Sequence, residues 1–186
     1  MLPVLLSFVF VPLIVAQTAG VAAETFHVNA TATTAQGKGS VSVPMTIAVT
    51  QYTREHARVA MTDALKYTGY PGFLRALRDA PIAGTLTIAG REFTIRWAHR
   101  EPHDGGRTVT IVTDKPVFFV GMGQPDAKST KGYEVAVVKL EVRAAGDGDG
   151  IMAAAARVKP GGEGAVRIDD YAQEPVKLAI VPAGAK

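Results

Sequence analysis

The chain of 186 residues carries 20 basic and 17 acidic side chains, for a formal net charge of +3, and has no cysteine. A sequence without cysteine excludes disulfides, thiolate nucleophiles and cysteine-ligated zinc or iron–sulfur centres. Charges of both signs are interspersed and no basic run contains aromatic residues, so no nucleic-acid partner is expected.

The N-terminal segment predicts a secretory signal peptide over residues 1–23. No residue of this segment is charged, and the apolar run Leu2–Val15 has the length of a signal core. Small residues predict cleavage after Ala23, with Ala22 as the alternative. Because a basic start is missing and the uncharged run could just span a bilayer, an N-terminal membrane anchor is the alternative. We expect a periplasmic or secreted chain with no stable membrane span after cleavage.

Residues 24–186 predict a single domain that opens with two strands. In both strands apolar and polar residues alternate with period two, as in a half-buried strand. The apolar positions are Phe26, Val28, Ala30 and Ala32 in the first strand, and Val41, Val43, Met45, Ile47 and Val49 in the second. Pro44 cannot donate to a ladder, which predicts a sheet edge or a bulge there.

The period changes to helical spacing at Thr53. Apolar residues recur every three or four positions over 57–65, which predicts a helix with Thr53 as N-cap and Gly69 as its end. A turn over 70–72 and a second short helix over 73–79 follow.

Strand patterns resume at Gly84. The segment 151–159 is ambiguous, because its four alanines favour a helix while glycine-rich turns limit it to nine residues. We interpret it as a strand whose small side chains leave a shallow area for a helix or a ligand. The predicted strands are Gly84–Ile88, Glu92–Arg100, Arg107–Thr113, Val117–Val120, Tyr133–Val142, Ile151–Lys159 and Pro175–Val181.

About nine strands and one helical insertion after the second strand predict an α+β domain that is mainly antiparallel. The favoured architecture is a curved sheet or barrel that wraps the helical segment. A β-sandwich with the helix at one end is the alternative.

The candidate metal ligands are His99, Glu101, His103 and Asp104. Alternation places His99 last on an apolar face that begins with Phe93, Ile95 and Trp97, and Pro102 is expected to end the strand. We therefore expect His99 at the edge of the core and His103 on a loop in water.

A second candidate site is an arginine face opposite Trp97. Arg96, Arg100 and Arg107 could hold a carboxylate or phosphate, and Trp97 on the other face is a further candidate ligand-binding residue. The alternative is a solvated face whose arginines pair with Glu92 or Glu101.

Two stretches carry a resemblance, DGGRTVTIVTDKPVFF at 104–119 and AAAARVKPGGEGAVRIDDYAQEPVKL at 153–178. Both resemble segments of secreted bacterial proteins that have a single β-rich domain and no assigned function. The resemblance implies export and a β-rich fold, and it implies no catalytic residue, ligand or cofactor.

Two functions are compatible with these patterns. The first is an exported, non-enzymatic binding or accessory domain for a small apolar or anionic ligand or a protein partner. Its site would be a groove lined by the Trp97 face, the helix from Arg54 to Tyr67 and the alanine strand. The second is a metal-dependent or other hydrolase that uses His99, His103 and nearby acids. We favour the first, because the sequence has no recognisable catalytic signature, and we expect no cofactor.

Overall fold

The computed structural model describes residues 23–34, 39–119, 130–162 and 164–182. Within these ranges the chain forms nine strands and one helix. In chain order they are β1 Glu24–Thr33, β2 Ser40–Val49, α1 Glu55–Asp79, β3 Gly84–Ile88, β4 Arg91–His103, β5 Gly106–Thr113, β6 Val135–Arg143, β7 Gly148–Pro160, β8 Val166–Tyr171 and β9 Val176–Val181. All but the last residue of the predicted signal peptide lie outside the described residues.

Eight strands close into an antiparallel barrel. Their order is β6-β5-β4-β3-β2-β1-β9-β7, and β7 pairs with β6 to complete the ring. The ninth strand, β8, pairs with β7 alone. Strands β9 and β8 occupy the same edge of β7 one after the other, since β7 pairs with β9 over Gly148–Met152 and with β8 over Ala156–Pro160. The predicted antiparallel barrel is therefore confirmed, and neither an open curved sheet nor a sandwich describes the closed ring.

The barrel interior is filled by the residues that the period-two pattern selected. The apolar positions of β1 are all buried, and Met45, Ile47 and Val49 of β2 are at most 2 % exposed. An eight-stranded barrel is just wide enough for side chains to fill it. The prediction of an edge strand or a bulge at Pro44 is wrong, because β2 pairs with β1 and β3 without a register shift; Pro44 is tolerated because β2 pairs with β3 only from Met45 onward.

Two strand predictions are wrong. Residues 117–119 of the predicted strand Val117–Val120 form no ladder, although their side chains are buried and the Val117 N–H donates to the Ala154 carbonyl at 2.8 Å. The strand β8 was missed, because its register with β7 shifts opposite Arg157 and Val158 and leaves Asp169 as an extra residue. That bulge breaks the alternation on which the prediction depended.

The helix is one element with a kink rather than two helices. Gly69 has φ 72° and ψ −172°, so the predicted stop becomes a break between two helical segments, and Pro71 lies in the first turn of the second, where proline is tolerated. Thr53 is not the N-cap. The cap is Arg54, and the Thr53 hydroxyl accepts from the Ala98 N–H at 3.0 Å, which ties the helix start to β4.

The helix packs outside the barrel, which corrects the expectation that the sheet wraps it. Its buried residues Met61, Leu65, Phe73 and Leu77 contact the outer side of β4 to β7. Ala153 and Ala156 of β7 face the helix, so the alanine strand receives a helix as expected. This outer layer is a second apolar core, distinct from the barrel interior.

Candidate functional site

A bulge in β4 decides which side chains face the site. Ile95 pairs with Thr113 and Trp97 with Val112, so Arg96 is an extra residue. Phe93 and Ile95 therefore face the barrel interior, whereas Trp97 and His99 lie on the outer surface. The prediction that these four residues share one face is wrong, because the inserted residue reverses the alternation for every later residue of the strand.

The predicted arginine site is divided by the same bulge. Arg100 and Arg107 meet at one end of the barrel, where both bind the Glu24 carboxylate. Arg100 Nη1 donates to Glu24 Oε1 at 3.0 Å, and Arg107 Nη2 donates to Oε2 at 2.6 Å. Arg96 lies elsewhere, donating to the Ala80 carbonyl at 2.7 Å and pairing with Asp114 at 3.5 Å. The partners are thus neither Glu92 nor Glu101.

Tyr52 completes the arginine–Glu24 cluster. Its hydroxyl oxygen is buried and lies beside the Glu24 carboxylate. Burial raises the pKa of Tyr52 far above its ordinary value, and the Glu24 carboxylate raises that pKa further. The phenol therefore stays neutral, and the charge at this end of the barrel is carried by the carboxylate and the two guanidinium groups.

The predicted metal ligands lie in a row on the outer surface. Strand β4 continues through Pro102, so His99, Glu101 and His103 alternate along one side, and four residues of a strand span about 13 Å. The His103 ring contacts the Asp104 carbonyl at 3.0 Å and Glu141 Oε2 at 3.4 Å. Across residues 23–34, 39–119, 130–162 and 164–182, no three His, Asp or Glu side chains are placed to hold an ion.

A groove runs along the outer wall of the barrel beside β8, and we call it the β8 groove. Its first half has a volume of about 350 Å³ and a lining that is polar and apolar in about equal parts, with the polar residues His99, Glu101, Thr108, Thr110, Lys139 and Arg167. The pairs His99–Thr110, Thr110–Lys139 and Lys139–Ile151 form one row of its floor. The apolar lining comes from Trp97, Val137, Ile151, Val166, Ile168 and Tyr171.

The second half of the β8 groove is larger and more polar, with a volume of about 810 Å³. Glu55 and Arg58 enter it from the helix, and Gly162 from the turn between β7 and β8. That turn reaches the helix, since a Cβ on Gly164, whose φ is +68°, would lie 3.1 Å from Val59 Cγ2. The two halves share His99, Glu101, Ala165 and Arg167, so they form one continuous groove.

Some of the charged side chains that line the β8 groove already form ion pairs with other residues. Glu24 binds Arg100, and Glu141 lies 2.9 Å from Lys139 Nζ. Arg167 forms no ion pair with any residue that the structure describes. Burial lowers the pKa of His99 and Arg58 lowers it further, while Glu101 opposes them. His99 is therefore a neutral imidazole at pH 7.

Sequence reasoning identified part of this groove. Trp97 lines it as expected, and the start of the predicted helix borders it through Glu55 and Arg58. Ala153 and Ala156 of β7 lie beneath the helix instead, Ala154 and Ala155 face the barrel interior, and Ile151 is the residue of that strand that reaches the groove. The residues of β8 were missed because the strand itself was missed.

The chain matches no protein-family model, and neither the curated proteins nor the solved structures contain a significant match to it. No helix among the described residues has the length and apolar character required to cross a membrane.

Proposed function

We propose that the chain is an exported, non-enzymatic binding domain whose ligand is a small molecule with an apolar part and a charged head, held in the β8 groove. The observation that carries this proposal is the junction at His99, where a half with a mixed polar and apolar lining meets a larger and more polar half of one groove. Small-ligand sites are typically concave, mostly apolar, and supplied with a few polar groups that orient the ligand.

The filled barrel supports a site on the outer surface. Interior residues such as Ile47, Leu86 and Ile95 are fully buried against one another. A ligand inside the barrel would have to displace this core, whereas the β8 groove is open. The size of the groove favours a small ligand, because its first half of about 350 Å³ has the volume of an ordinary small-molecule pocket, roughly 300–1,000 Å³.

Export is supported by the position of the first strand. β1 begins at Glu24, directly after the predicted cleavage position, and the Glu24 side chain is bound by Arg100 and Arg107. Cleavage after Ala23 or Ala22 therefore leaves every residue of the barrel in place. Intact mass of the exported chain should give an N-terminus at Glu24 or Ala23. A mature chain that retains residues 1–22 would contradict this part of the proposal.

The binding experiment can follow the unfolding temperature together with the fluorescence of Trp97, the only tryptophan, which lies fully buried beneath the groove. Octanoate and octylamine carry the same apolar chain with heads of opposite charge. At least one of them should give a saturable change in Trp97 emission. If neither changes the emission or the unfolding temperature up to its solubility limit, the proposed function is wrong.

Matched variants locate the ligand. Thr110 lies in the row of His99 and Lys139, so Thr110→Tyr should fill the groove floor and weaken binding at least tenfold. Thr87→Tyr places the same side chain at an exposed position of β3 and should leave binding unchanged. Equal effects of the two substitutions would place the ligand outside the β8 groove.

A further inference from the structure

Strand β8 borders the β8 groove in a different way from the strands of the barrel. The barrel strands contribute alternate residues, such as Trp97, His99 and Glu101 of β4, so the groove lies against one face of these strands. The chain at β8 instead contributes the four consecutive residues 165–168. Side chains of consecutive strand residues point to opposite faces. The groove therefore runs along an edge of β8, where it meets the main chain.

That edge of β8 has no partner strand. β8 pairs with β7 on one side, and no strand of the described residues pairs with it on the other. The Gly161 N–H of the turn donates to the Ala165 carbonyl at 2.8 Å, so the main-chain groups of Ala165 point toward β7. Main-chain groups of successive strand residues point to alternate sides. The N–H and C=O groups of Val166 and Ile168 therefore point away from β7, toward the groove.

These main-chain groups have the spacing of an extended peptide. Val166 and Ile168 present two donors and two acceptors, and positions two apart along a strand are separated by about 6.6 Å. An extended peptide that lies along such an edge offers matching groups at every second residue, as in strand addition. The bulge at Asp169 disrupts the ladder beyond Ile168. The regular part of the open edge is therefore short.

We infer that the ligand of the β8 groove is a short peptide, bound in extended conformation as an added strand on the open edge of β8; this inference rests on the proposed function of the groove. Recognition through the main chain suits a mixed lining, because it requires no pocket for one particular side chain. Ala165 and Arg167 also line the polar half, so the peptide terminus at that end of β8 lies among polar residues.

The test measures binding of the fluorescein-labelled peptide Thr-Val-Thr-Val by fluorescence anisotropy, together with two N-methylated forms. Methylation of the two valines removes the N–H groups from one edge of the peptide and leaves the other edge able to pair. Methylation of all residues removes every donor. The unmodified and half-methylated peptides should bind alike. The fully methylated peptide should bind at least about tenfold more weakly, because each lost main-chain bond costs about two- to tenfold.

The outcomes separate this inference from the proposed function. Equal affinity of the fully methylated peptide would overturn the inference and leave the proposed function standing. So would absence of peptide binding to a chain that binds octanoate or octylamine. Absence of binding by the peptide and by both of those compounds would overturn the inference and the proposed function together.

A proline at position 168 tests the edge itself. Ile168→Pro removes an N–H that points to the groove and leaves the bonds of β8 to β7 in place. Ile168→Ala is the matched control, because it also shortens the side chain but keeps the N–H. The proline variant should bind the peptide about fivefold more weakly than the alanine variant. Equal affinities of the two folded variants would contradict strand addition. If near-UV circular dichroism shows that the proline variant does not fold, the methylated peptides decide alone.

Discussion

The barrel interior and the outer layer show two ways in which one sequence specifies packing. The interior follows strict alternation, so each inward position of β1 or β2 can be read from the chain alone. In β4 the outer layer depends on a register shift, because Trp97 reaches it only through the extra residue Arg96. The same strand β4 thus contributes Ile95 to the interior and Trp97 to the outer layer. Within β4 a single inserted residue, rather than a change of hydrophobicity, moves the apolar face from the interior to the outer layer, whereas β5 and β6 reach both cores by alternation.

Deletion of Arg96 should have the largest effect on this division. Without the extra residue the ladder between β4 and β5 becomes regular, and Trp97 would be forced toward an interior that is already full. We expect loss of the folded state, because every side chain beyond the deletion changes face. Near-UV circular dichroism and urea unfolding measure this loss.

Arg96→Ala is the control for that deletion. It keeps the bulge and removes only the bonds to Ala80 and Asp114, so it should leave a folded chain. A deletion variant as stable as Arg96→Ala would show that the bulge does not separate the two cores.

Phe73→Ala should have the next largest effect. Phe73 is fully buried between the helix and the outer wall, and truncation of such a side chain lowers the free energy of unfolding by about 3–5 kcal/mol. Because the two cores share β4 to β7, we expect one cooperative transition. Urea unfolding should give the same midpoint by far-UV circular dichroism and by Trp97 emission. An earlier transition of Trp97 would mean that the outer layer unfolds separately.

Glu24→Gln tests the polar end of the barrel and should have a smaller effect. The substitution leaves Arg100 and Arg107 without their shared carboxylate. Because these side chains are 38 % and 23 % exposed, water screens part of the loss, and we expect about 1–2 kcal/mol from chemical denaturation. Glu92→Gln, at an exposed position, should change the stability by less than about 0.5 kcal/mol. Equal stability of the two variants would contradict a structural role for the Glu24 cluster.

The smallest expected effect is the contribution of His99 to the pH dependence of the free energy of unfolding. Its pKa is lower in the folded chain than the ordinary 6.5, so the unfolded chain binds more protons between these two values. Acidification below about pH 6.5 should therefore lower the free energy of unfolding, and the loss should be complete below the folded pKa. Arg58 from α1, Arg167 from β8 and Glu101 from β4 border the imidazole. His99→Gln should reduce the acid sensitivity, and an identical pH dependence would refute the role of His99.

The sequence was sufficient for the elements whose side chains alternate without interruption. It predicted an antiparallel barrel with a helix after the second strand, and it marked Trp97 and the helix start as parts of a groove. It could not predict β8, because the bulge at Asp169 and the exposed charges of Arg167 and Asp170 remove the apolar period.

Ion pairs between residues distant in the chain also could not be predicted from the sequence. Glu24 binds Arg107 across 83 positions, and no local pattern selects it over Glu92 or Glu101, which lie closer in the chain. The residues Val117 to Phe119 show a different failure. Their apolar run predicted a strand, but these residues are buried without pairing to a neighbouring strand. Local periodicity therefore identified burial better than it identified partners.

The pairing of the first and last strands has a consequence for when the chain can fold. His27 of β1 lies opposite Val181 of β9, so the ring remains open until the last strand has been synthesised. Contacts between residues so distant in sequence form slowly, because a long loop must close before they stabilise anything. The hairpins from β1 to β7 can pair while the chain is being made, but the barrel closes only after the full length of the chain is available.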